Sequence, residues 1–166
     1  MSSRNVRPDP FADLIFTTHL ESQLRFMYDH PEVLEAIPVV CFYGYAGLGK
    51  TTVAKIFADA FCGDTRYFAM NEASLNSKFV DEEIRPLLRA NLFDRVSNEE
   101  YLFNKCIILD EFHNLTPKEQ DRFKVVFDEM KKTLVIVCLN TTEKKGIADQ
   151  TTEPILSRMN AISFNT

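Results

Sequence analysis

The chain alternates between continuous apolar runs and segments in which apolar residues recur every three or four positions. A continuous run such as residues 39–43 is typical of a strand that is buried on both faces of a parallel sheet. The strands predicted in this way lie at residues 39–43, 66–70, 106–109, 133–139 and 161–164. Because helical segments separate them, we predict an α/β fold with a mostly parallel five-stranded sheet flanked by helices.

Helical spacing marks the segments between the strands. Leu20, Leu24 and Met27 lie on one face of a helix predicted over about residues 18–30, which Pro31 ends. A second helix follows the first strand and carries an apolar stripe. The stripe consists of Val53, Ile56, Phe57, Ala60 and Phe61.

Local signals place two further helices. Thr116, Pro117 and Glu119 have the order of an N-cap, a first helical residue and the acid of a capping box. Pro86 falls inside a helical pattern over about residues 81–92, so that helix either begins near Pro86 or is kinked there. A short helix is predicted at residues 154–158, and loops are predicted at residues 72–77, 94–102 and 141–152.

Composition limits the classes of protein to which the chain can belong. With 166 residues, 45% of them hydrophobic, it can form one domain with a core. We divide it into an N-terminal arm, residues 1–17, and a core domain, residues 18–166. The net charge of −5 argues against a strongly basic nucleic-acid binder, although a local basic surface is compatible with it. No run approaches the length that spans a membrane, so no membrane partner is predicted.

The cysteines indicate an intracellular, reducing compartment. Cys41, Cys106 and Cys138 lie in strand-like runs, Cys62 lies at the end of a helix, and no C-x-x-C pair occurs. The spacing of a zinc site is therefore missing, and we interpret the thiols as small buried hydrophobes.

A glycine-rich loop follows the first predicted strand directly and leads into a helix. Glycines let consecutive backbone N–H groups turn toward phosphate oxygens, and the helix start adds the positive end of its dipole. Lys50 is expected to reach the β and γ phosphates, and the Thr51 hydroxyl to bind Mg²⁺. The loop, Gly44-Tyr45-Ala46-Gly47-Leu48-Gly49-Lys50-Thr51-Thr52, has the pattern G-x-x-x-x-G-K-T and predicts ATP and Mg²⁺ as cofactors.

Polar residues at the ends of later elements have the chemistry to complete this site. Asp110 and Glu111 end a buried strand, where Asp110 would hold Mg²⁺ and Glu111 would orient the attacking water as a base. Asn140 ends the next strand and could donate to the γ-phosphate or to that water. The guanidinium of Arg158 is suited to the charge on a transferring phosphoryl group.

In this order the motifs resemble those of AAA+ ATPases. Among these, the resemblance is to small clamp-loader subunits of the replication factor C type and their phage equivalents, and it covers nearly the whole chain. The matching stretches are Arg7-Pro8 (arginine–proline box), Gly44 to Thr52 (Walker A), Asn71-Glu72-Ala73-Ser74, Ile108-Leu109-Asp110-Glu111 (Walker B) with Asn114-Leu115-Thr116-Pro117, Leu139-Asn140 (sensor 1) and Pro154-Ile155-Leu156-Ser157-Arg158 (serine–arginine–cysteine motif).

The resemblance implies a P-loop NTPase core that uses ATP to load a sliding clamp onto primer–template DNA, together with other clamp-loader subunits. It implies that Arg158 acts in trans on a neighbour's nucleotide and that Asn71 is a switch for Glu111. It also implies a nucleotide-site role for Arg7 and Pro8. Weaker implied contacts, to DNA, are Arg85, Arg89 and Lys118.

The sequence departs from that family pattern in several places. Met159 replaces the cysteine of the serine–arginine–cysteine motif, and Phe16 stands where a glycine is usual, near the expected adenine pocket. Pro86 interrupts the helix that bears DNA-facing residues. The helical lid and collar of the family are expected to be absent from this chain.

Two other functions stay open at this stage. A superfamily 3-type or other AAA+ DNA helicase or helicase loader of a virus or phage would share the same strand-end motifs. Such a helicase would carry a basic loop where this chain has a capped helix and only Lys131-Lys132. A non-hydrolysing structural replication subunit would not need Lys50, Asp110 and Glu111 together.

Overall fold

In the computed structural model, residues 9–70, 78–89 and 101–165 are described. Five strands form one sheet in the order β2-β3-β4-β1-β5, and every neighbouring pair is parallel. The predicted α/β fold is therefore confirmed. The strands are β1 Val39–Gly44, β2 Cys62–Ala69, β3 Phe103–Asp110, β4 Thr133–Asn140 and β5 Asn160–Ser163.

The register of the sheet collects the ends of three strands at one edge. Gly44 at the end of β1 lies opposite Asn140 at the end of β4. On the other side of β4, Asp110 ends β3 opposite Ala69 of β2. In a parallel sheet the carboxyl ends of the strands are where ligands bind, so the glycine loop and the predicted acidic and amide residues share one edge.

Helices cover both faces of the sheet. Those before residue 90 are α1 Thr18–Asp29, α2 Glu32–Ala36, α3 Lys50–Phe61, a π-helical turn Val80–Ile84 and α4 Arg85–Arg89. Those after residue 110 are a 3₁₀ turn Phe112–Asn114, α5 Pro117–Asp121, α6 Phe123–Glu129, α7 Ile147–Gln150 and α8 Glu153–Leu156. Among the described residues, no helix is long and apolar enough to cross a membrane.

The core has two halves, one on each face of the sheet. Phe42 of β1 packs on the face that carries α1 and α3, whereas Cys41 packs on the opposite face with α6. This alternation explains the continuous apolar runs, because both faces of each central strand are buried. The predicted inward face of α1 is confirmed, since Leu20, Leu24 and Met27 are all buried.

Pro86 is accommodated by a change of helix type. Arg85 donates its backbone N–H to Val80, five residues back, so the turn before Pro86 is π-helical. The regular helix α4 begins at Arg85, with Pro86 as its second residue. Helical backbone therefore continues through Pro86 with an irregular turn before it, which agrees with the alternative of a helix interrupted at Pro86.

The structure departs from the predicted elements in several places. Helix α2 follows Pro31 at once, although no helix was predicted there, and α7 lies inside the predicted loop 141–152. Five and four residues are too few for a periodic apolar signal. Strand β2 begins at Cys62 and not at Arg66. The prediction missed its first half because those residues are exposed and mostly polar, and so carry no apolar pattern.

The described part of the predicted N-terminal arm packs on the core. Phe11 is 2% exposed and makes an edge-to-face contact with Tyr28, at 5.6 Å between ring centroids. Asp9 binds Arg25 at 2.7 Å. From Asp9 onward this segment therefore packs against the folded core, which the polar, proline-bearing start of the chain did not indicate.

Candidate nucleotide-binding site

The loop between β1 and α3 has the backbone of a phosphate cradle. Gly47 and Gly49 have φ angles of 81° and 86°, in the left-handed region that favours glycine. Gly44 has φ 151°, and a Cβ there would lie 2.9 Å from Oδ1 of Asn165. The same Oδ1 accepts the N–H of Tyr45 at 2.8 Å. The chain after β5 thus holds the start of the loop in place.

Lys50 begins α3 and is only 6% exposed. Its Nζ donates to the carbonyl oxygens of Gly44 at 3.1 Å and Tyr45 at 2.6 Å. Burial lowers the pKa of this ammonium, because desolvation disfavours its charged form. The lysine is therefore held under the loop by two backbone carbonyl oxygens.

The carboxylate of Asp110 accepts three hydrogen bonds from described residues. Its Oδ2 accepts the Thr51 hydroxyl at 2.9 Å and the Tyr67 hydroxyl at 2.5 Å, and its Oδ1 accepts the N–H of Glu111 at 2.9 Å. Burial and the neighbouring Asp110 carboxylate raise the pKa of Tyr67. The two predicted metal-binding residues are thus brought together, and hydroxyl and carboxylate oxygens are ligands that Mg²⁺ prefers. Sequence analysis missed Tyr67, for which no motif exists.

Glu111 turns the chain out of β3. Its φ and ψ of 54° and 40° are left-handed, which is unusual for a residue with a side chain. The next residue, Phe112, is fully buried and contacts Phe123 at 5.6 Å between ring centroids. The buried ring compensates the strained backbone, so that the carboxylate of Glu111 is carried by a fixed turn at the end of β3.

Asn140 is fixed through its backbone on both sides. Its N–H donates to Nδ1 of His113 at 3.0 Å, and its carbonyl accepts from Nε2 of Gln150 at 3.1 Å. These residues line an open cleft of about 580 Å³ beside the glycine loop. The cleft is lined by Tyr45, Ala46, His113, Asn140, Thr141, Thr142, Glu143 and Gln150.

A buried glutamine connects the far side of this cleft to α5. Gln120 is 2% exposed, and its Nε2 donates to the carbonyl of Gln150 at 2.9 Å. Its Oε1 accepts the N–H of Thr152 at 3.1 Å. Its partners Gln150 and Thr152 lie in the interval predicted as a polar loop, where the sequence carries no signal for such contacts.

Arg158 lies apart from the other predicted catalytic residues in its own chain. Its Nε and Nη2 donate to the two carboxylate oxygens of Asp128 at 3.0 and 3.1 Å, and Nη1 donates to the carbonyl of Pro154 at 2.8 Å. The guanidinium lowers the pKa of Asp128 by hydrogen bonding. None of these bonds reaches the phosphate loop, and the role of Arg158 in trans stays a prediction.

The remaining predicted residues are placed only in part. Arg7, Pro8 and Asn71 lie outside the described residues, and so does the side chain of Arg89. Arg85 pairs with Asp81 one turn earlier, at 3.4 Å. Lys118 is exposed in the first turn of α5, whose predicted capping box is present.

Comparison with known proteins agrees with this geometry. Replication factor C small subunit 2 of Pyrobaculum islandicum is 30% identical over 162 residues, which is 96% of this chain and 46% of that protein. Replication factor C small subunit 1 of Pyrobaculum aerophilum is 26% identical over 163 residues, which is 96% of this chain and 45% of that protein. The chain therefore spans less than half the length of these relatives. Their names confirm the resemblance that the motifs indicated.

Solved structures share the fold at low identity. PCH-2 of C. elegans has a TM-score of 0.55 at 14% identity, with 95% of this chain and 46% of that chain covered. A RuvB variant of Thermotoga maritima has a TM-score of 0.60 at 14% identity, with 92% and 47% covered. The model of the ATPase family associated with various cellular activities (AAA) matches residues 40–165. The chain belongs to the AAA family of ATPases.

Proposed function

We propose that this chain is the Mg²⁺-dependent ATPase core of a clamp-loader subunit. The observation that carries the proposal is the meeting of Thr51 and Asp110, at 2.9 Å, beside a loop under which Lys50 is buried. A phosphate loop, a metal-binding pair and a neighbouring carboxylate are the parts that nucleotide hydrolysis requires. The AAA family assignment supports ATP hydrolysis as the activity.

Each residue has a defined task in this reaction. Lys50 exchanges the carbonyls of Gly44 and Tyr45 for phosphate oxygens, while the N–H groups of the glycine loop bind the phosphates. Thr51 and Asp110 would hold Mg²⁺, which neutralises charge on the phosphate oxygens. Glu111 orients and deprotonates the attacking water, and Asn140 donates its amide to the γ-phosphate or to that water.

A smaller cavity beside the loop is suited to the nucleoside. It has a volume of about 200 Å³ and is lined in part by Phe16, Tyr45 and Leu48. Phe16 stands where the family resemblance led us to expect glycine, yet its ring packs edge-on against Phe164, at 6.2 Å between centroids, and leaves the cavity open. We propose that the adenine base occupies this cavity against the aromatic and aliphatic side chains.

Assembly with other subunits would complete the site. Arg158 has the guanidinium needed for charge on the transferring phosphoryl group, and we propose that it acts on the nucleotide of a neighbouring subunit. Asn71 is proposed as the switch for Glu111, and Arg7 and Pro8 as parts of the nucleotide site. The proposed partners are other clamp-loader subunits, a sliding clamp and primer–template DNA, in a reducing intracellular compartment. Arg85, Arg89 and Lys118 are the candidate DNA contacts.

The test is steady-state ATP hydrolysis by the full-length protein, with and without primed DNA and a sliding clamp from the same source. We expect strong stimulation by both together. Replacing Arg158 with alanine should remove most of it, by on the order of 10³-fold, as for other arginine fingers. Mixing Arg158→Ala subunits with Glu111→Gln subunits should restore part of the rate if the finger acts in trans.

Other outcomes would reject the proposal. Stimulation by single-stranded or forked DNA alone, with strand separation, would indicate a helicase. ATP binding without hydrolysis under any condition would indicate a structural subunit.

A further inference from the structure

His113 lies on a rigid turn beside the candidate site. The 3₁₀ turn Phe112–Asn114 is closed by hydrogen bonds from Asn114 to the carbonyl of Glu111, at 3.0 Å, and from Leu115 to that of Phe112, at 3.2 Å. Phe112 is fully buried and anchors the turn in the core. The position of His113 is therefore set by the fold, and not by the ligand.

The neutral imidazole is held as one tautomer. Its Nδ1 accepts the backbone N–H of Asn140 at 3.0 Å, so Nδ1 carries no proton and the neutral ring carries its proton on Nε2. This bond crosses from the end of β3 to the end of β4, between residues 27 apart in sequence. The carbonyl of Asn140 is held from the other side by Gln150.

These two backbone hydrogen bonds limit where the side chain of Asn140 can lie. With both backbone groups committed, the residue cannot rotate about the strand, and its carboxamide has no hydrogen-bond partner among the described residues. Asn140 lines the same cleft as Tyr45 and Ala46 of the glycine loop. A donor fixed at the edge of a phosphate site acts only if it is held within about 0.5 Å of its working position.

We propose that His113 is a positioning residue for phosphoryl transfer, which fixes the backbone of Asn140 through Nδ1 and so directs its carboxamide toward the terminal phosphate. The inference rests on the proposed ATPase function and adds to it a residue that no motif of the sequence indicated. His113 need not touch the nucleotide. Its effect is transmitted through one hydrogen bond to the end of β4.

The contact should make activity depend on pH. Protonation of Nδ1 would turn it into a donor facing the N–H of Asn140, which is also a donor, and the hydrogen bond would break. Burial lowers the pKa of His113, Lys50 acts in the same direction, and Glu111 and Asp110 oppose it. The cleft also carries Glu143. Because the folded pKa lies below the ordinary value, the bond is intact at neutral pH and the rate should fall only below about pH 6.5.

Three variants separate positioning from direct contact. His113→Asn keeps an acceptor near the place of Nδ1, His113→Gln keeps a donor near the place of Nε2, and His113→Leu removes both. We expect kcat of the full-length protein to fall on the order of 10²-fold in His113→Leu and His113→Gln, with KM for ATP little changed. His113→Asn should recover most of the rate and lose the fall at acidic pH.

A measurement without turnover makes the test independent of hydrolysis. Hydrogen exchange of the Asn140 amide, read by mass spectrometry on overlapping peptides, should be slow in the parent and His113→Asn proteins and faster in His113→Leu. Rescue by His113→Gln instead of His113→Asn, or unchanged exchange in His113→Leu, would overturn the positioning role. If the parent binds no ATP, the proposed ATPase function fails, and with it the predicted effect of His113 on kcat. The exchange data would still show whether His113 holds the backbone of Asn140.

Discussion

Burial of Lys50 lowers the stability of the fold, although we propose that its charge is needed to bind phosphate. It is buried as an ammonium, and its folded pKa lies below its ordinary value because of desolvation. The charged form is thus disfavoured in the folded state. This cost is fully present below the folded pKa and is relieved as the pH rises through that value toward the unfolded one. We propose that the protein tolerates the cost because Lys50 supplies a charge for phosphate binding.

Replacing Lys50 with methionine should separate these effects. Without nucleotide, the melting temperature of Lys50→Met should be no lower than that of the parent, since a desolvated charge is removed. The increase in melting temperature that ATP gives the parent should be lost. Lys118→Met is the control for the loss of one lysine charge, because Lys118 is exposed in the first turn of α5 and should leave the ATP-induced increase intact. A melting temperature well below the parent's would mean that the lysine supports the loop structurally.

The glycines of the loop differ in what they require. Gly47→Ala introduces a side chain into open space but at a left-handed φ, which costs about 1–3 kcal/mol. Gly44→Ala would in addition place Cβ 2.9 Å from Oδ1 of Asn165 and 3.2 Å from Cβ of Phe164. We therefore expect Gly44→Ala to lower the free energy of unfolding more than Gly47→Ala, as measured by urea denaturation. Equal losses would show that the chain after β5 can move aside.

At the scale of elements, the ion pair of Asp128 and Arg158 joins α6 to the turn that follows α8. Both side chains are partly exposed, so the pair should contribute little to stability. The pair matters for position, because Asp128 binds the guanidinium that we propose acts on the nucleotide of the neighbouring subunit.

Asp128→Asn should release Arg158 without unfolding the chain. We expect a melting temperature close to the parent's and an increase in the ATPase rate of the assembled protein, since the carboxylate no longer competes for the guanidinium. Glu129→Gln, the exposed neighbouring acid, is the control for the loss of one negative charge. A decrease in rate in Asp128→Asn would mean instead that Asp128 holds Arg158 in its working orientation.

The start of α5 depends on a reciprocal pair. Thr116 accepts the N–H of Glu119 at 3.2 Å, and Glu119 accepts the N–H of Thr116 at 3.0 Å. Thr116→Ala should lower the free energy of unfolding by about 1 kcal/mol, as measured with urea. In Glu119→Ala protein the further loss on Thr116→Ala should be smaller, because the pair acts as a unit. Additive losses would contradict this coupling.

At the scale of the whole molecule, the central strands β1, β3 and β4 are buried on both faces of the sheet. Each of the strands β1 to β4 contributes one cysteine, and all four thiols of the chain are buried and unpaired. Burial raises the pKa of Cys41, which suppresses the reactive thiolate. The thiols are therefore reporters of how the sheet opens.

Native protein should not react with a thiol reagent at pH 8 on the time scale in which the unfolded chain reacts completely. Under slow unfolding conditions, Cys41, Cys106 and Cys138 should become labelled with one common rate constant, because they lie in the central strands of a single sheet. The measurement is mass spectrometry of labelled peptides over time. Earlier labelling of Cys62 alone would locate a local opening at the edge strand β2.

The sequence alone determined the elements whose signals are local. Continuous apolar runs located the strands because both faces of the sheet are buried, and Thr116, Pro117 and Glu119 located a helix start because capping acts within four residues. The glycine spacing located the phosphate loop for the same reason. Even the meeting of Thr51 with Asp110 followed from the rule that strand ends share one edge.

Only the tertiary structure decided the contacts that join distant parts of the chain. Tyr67 and Asp110 are 43 residues apart, His113 and Asn140 are 27 apart, and Tyr45 and Asn165 are 120 apart. Each contact depends on strand order and register, which no local pattern encodes. The pairing of Arg158 with Asp128 likewise depends on how α8 returns across α6. The sequence thus predicted which groups perform the chemistry, and the order of strands determined which groups hold them in place.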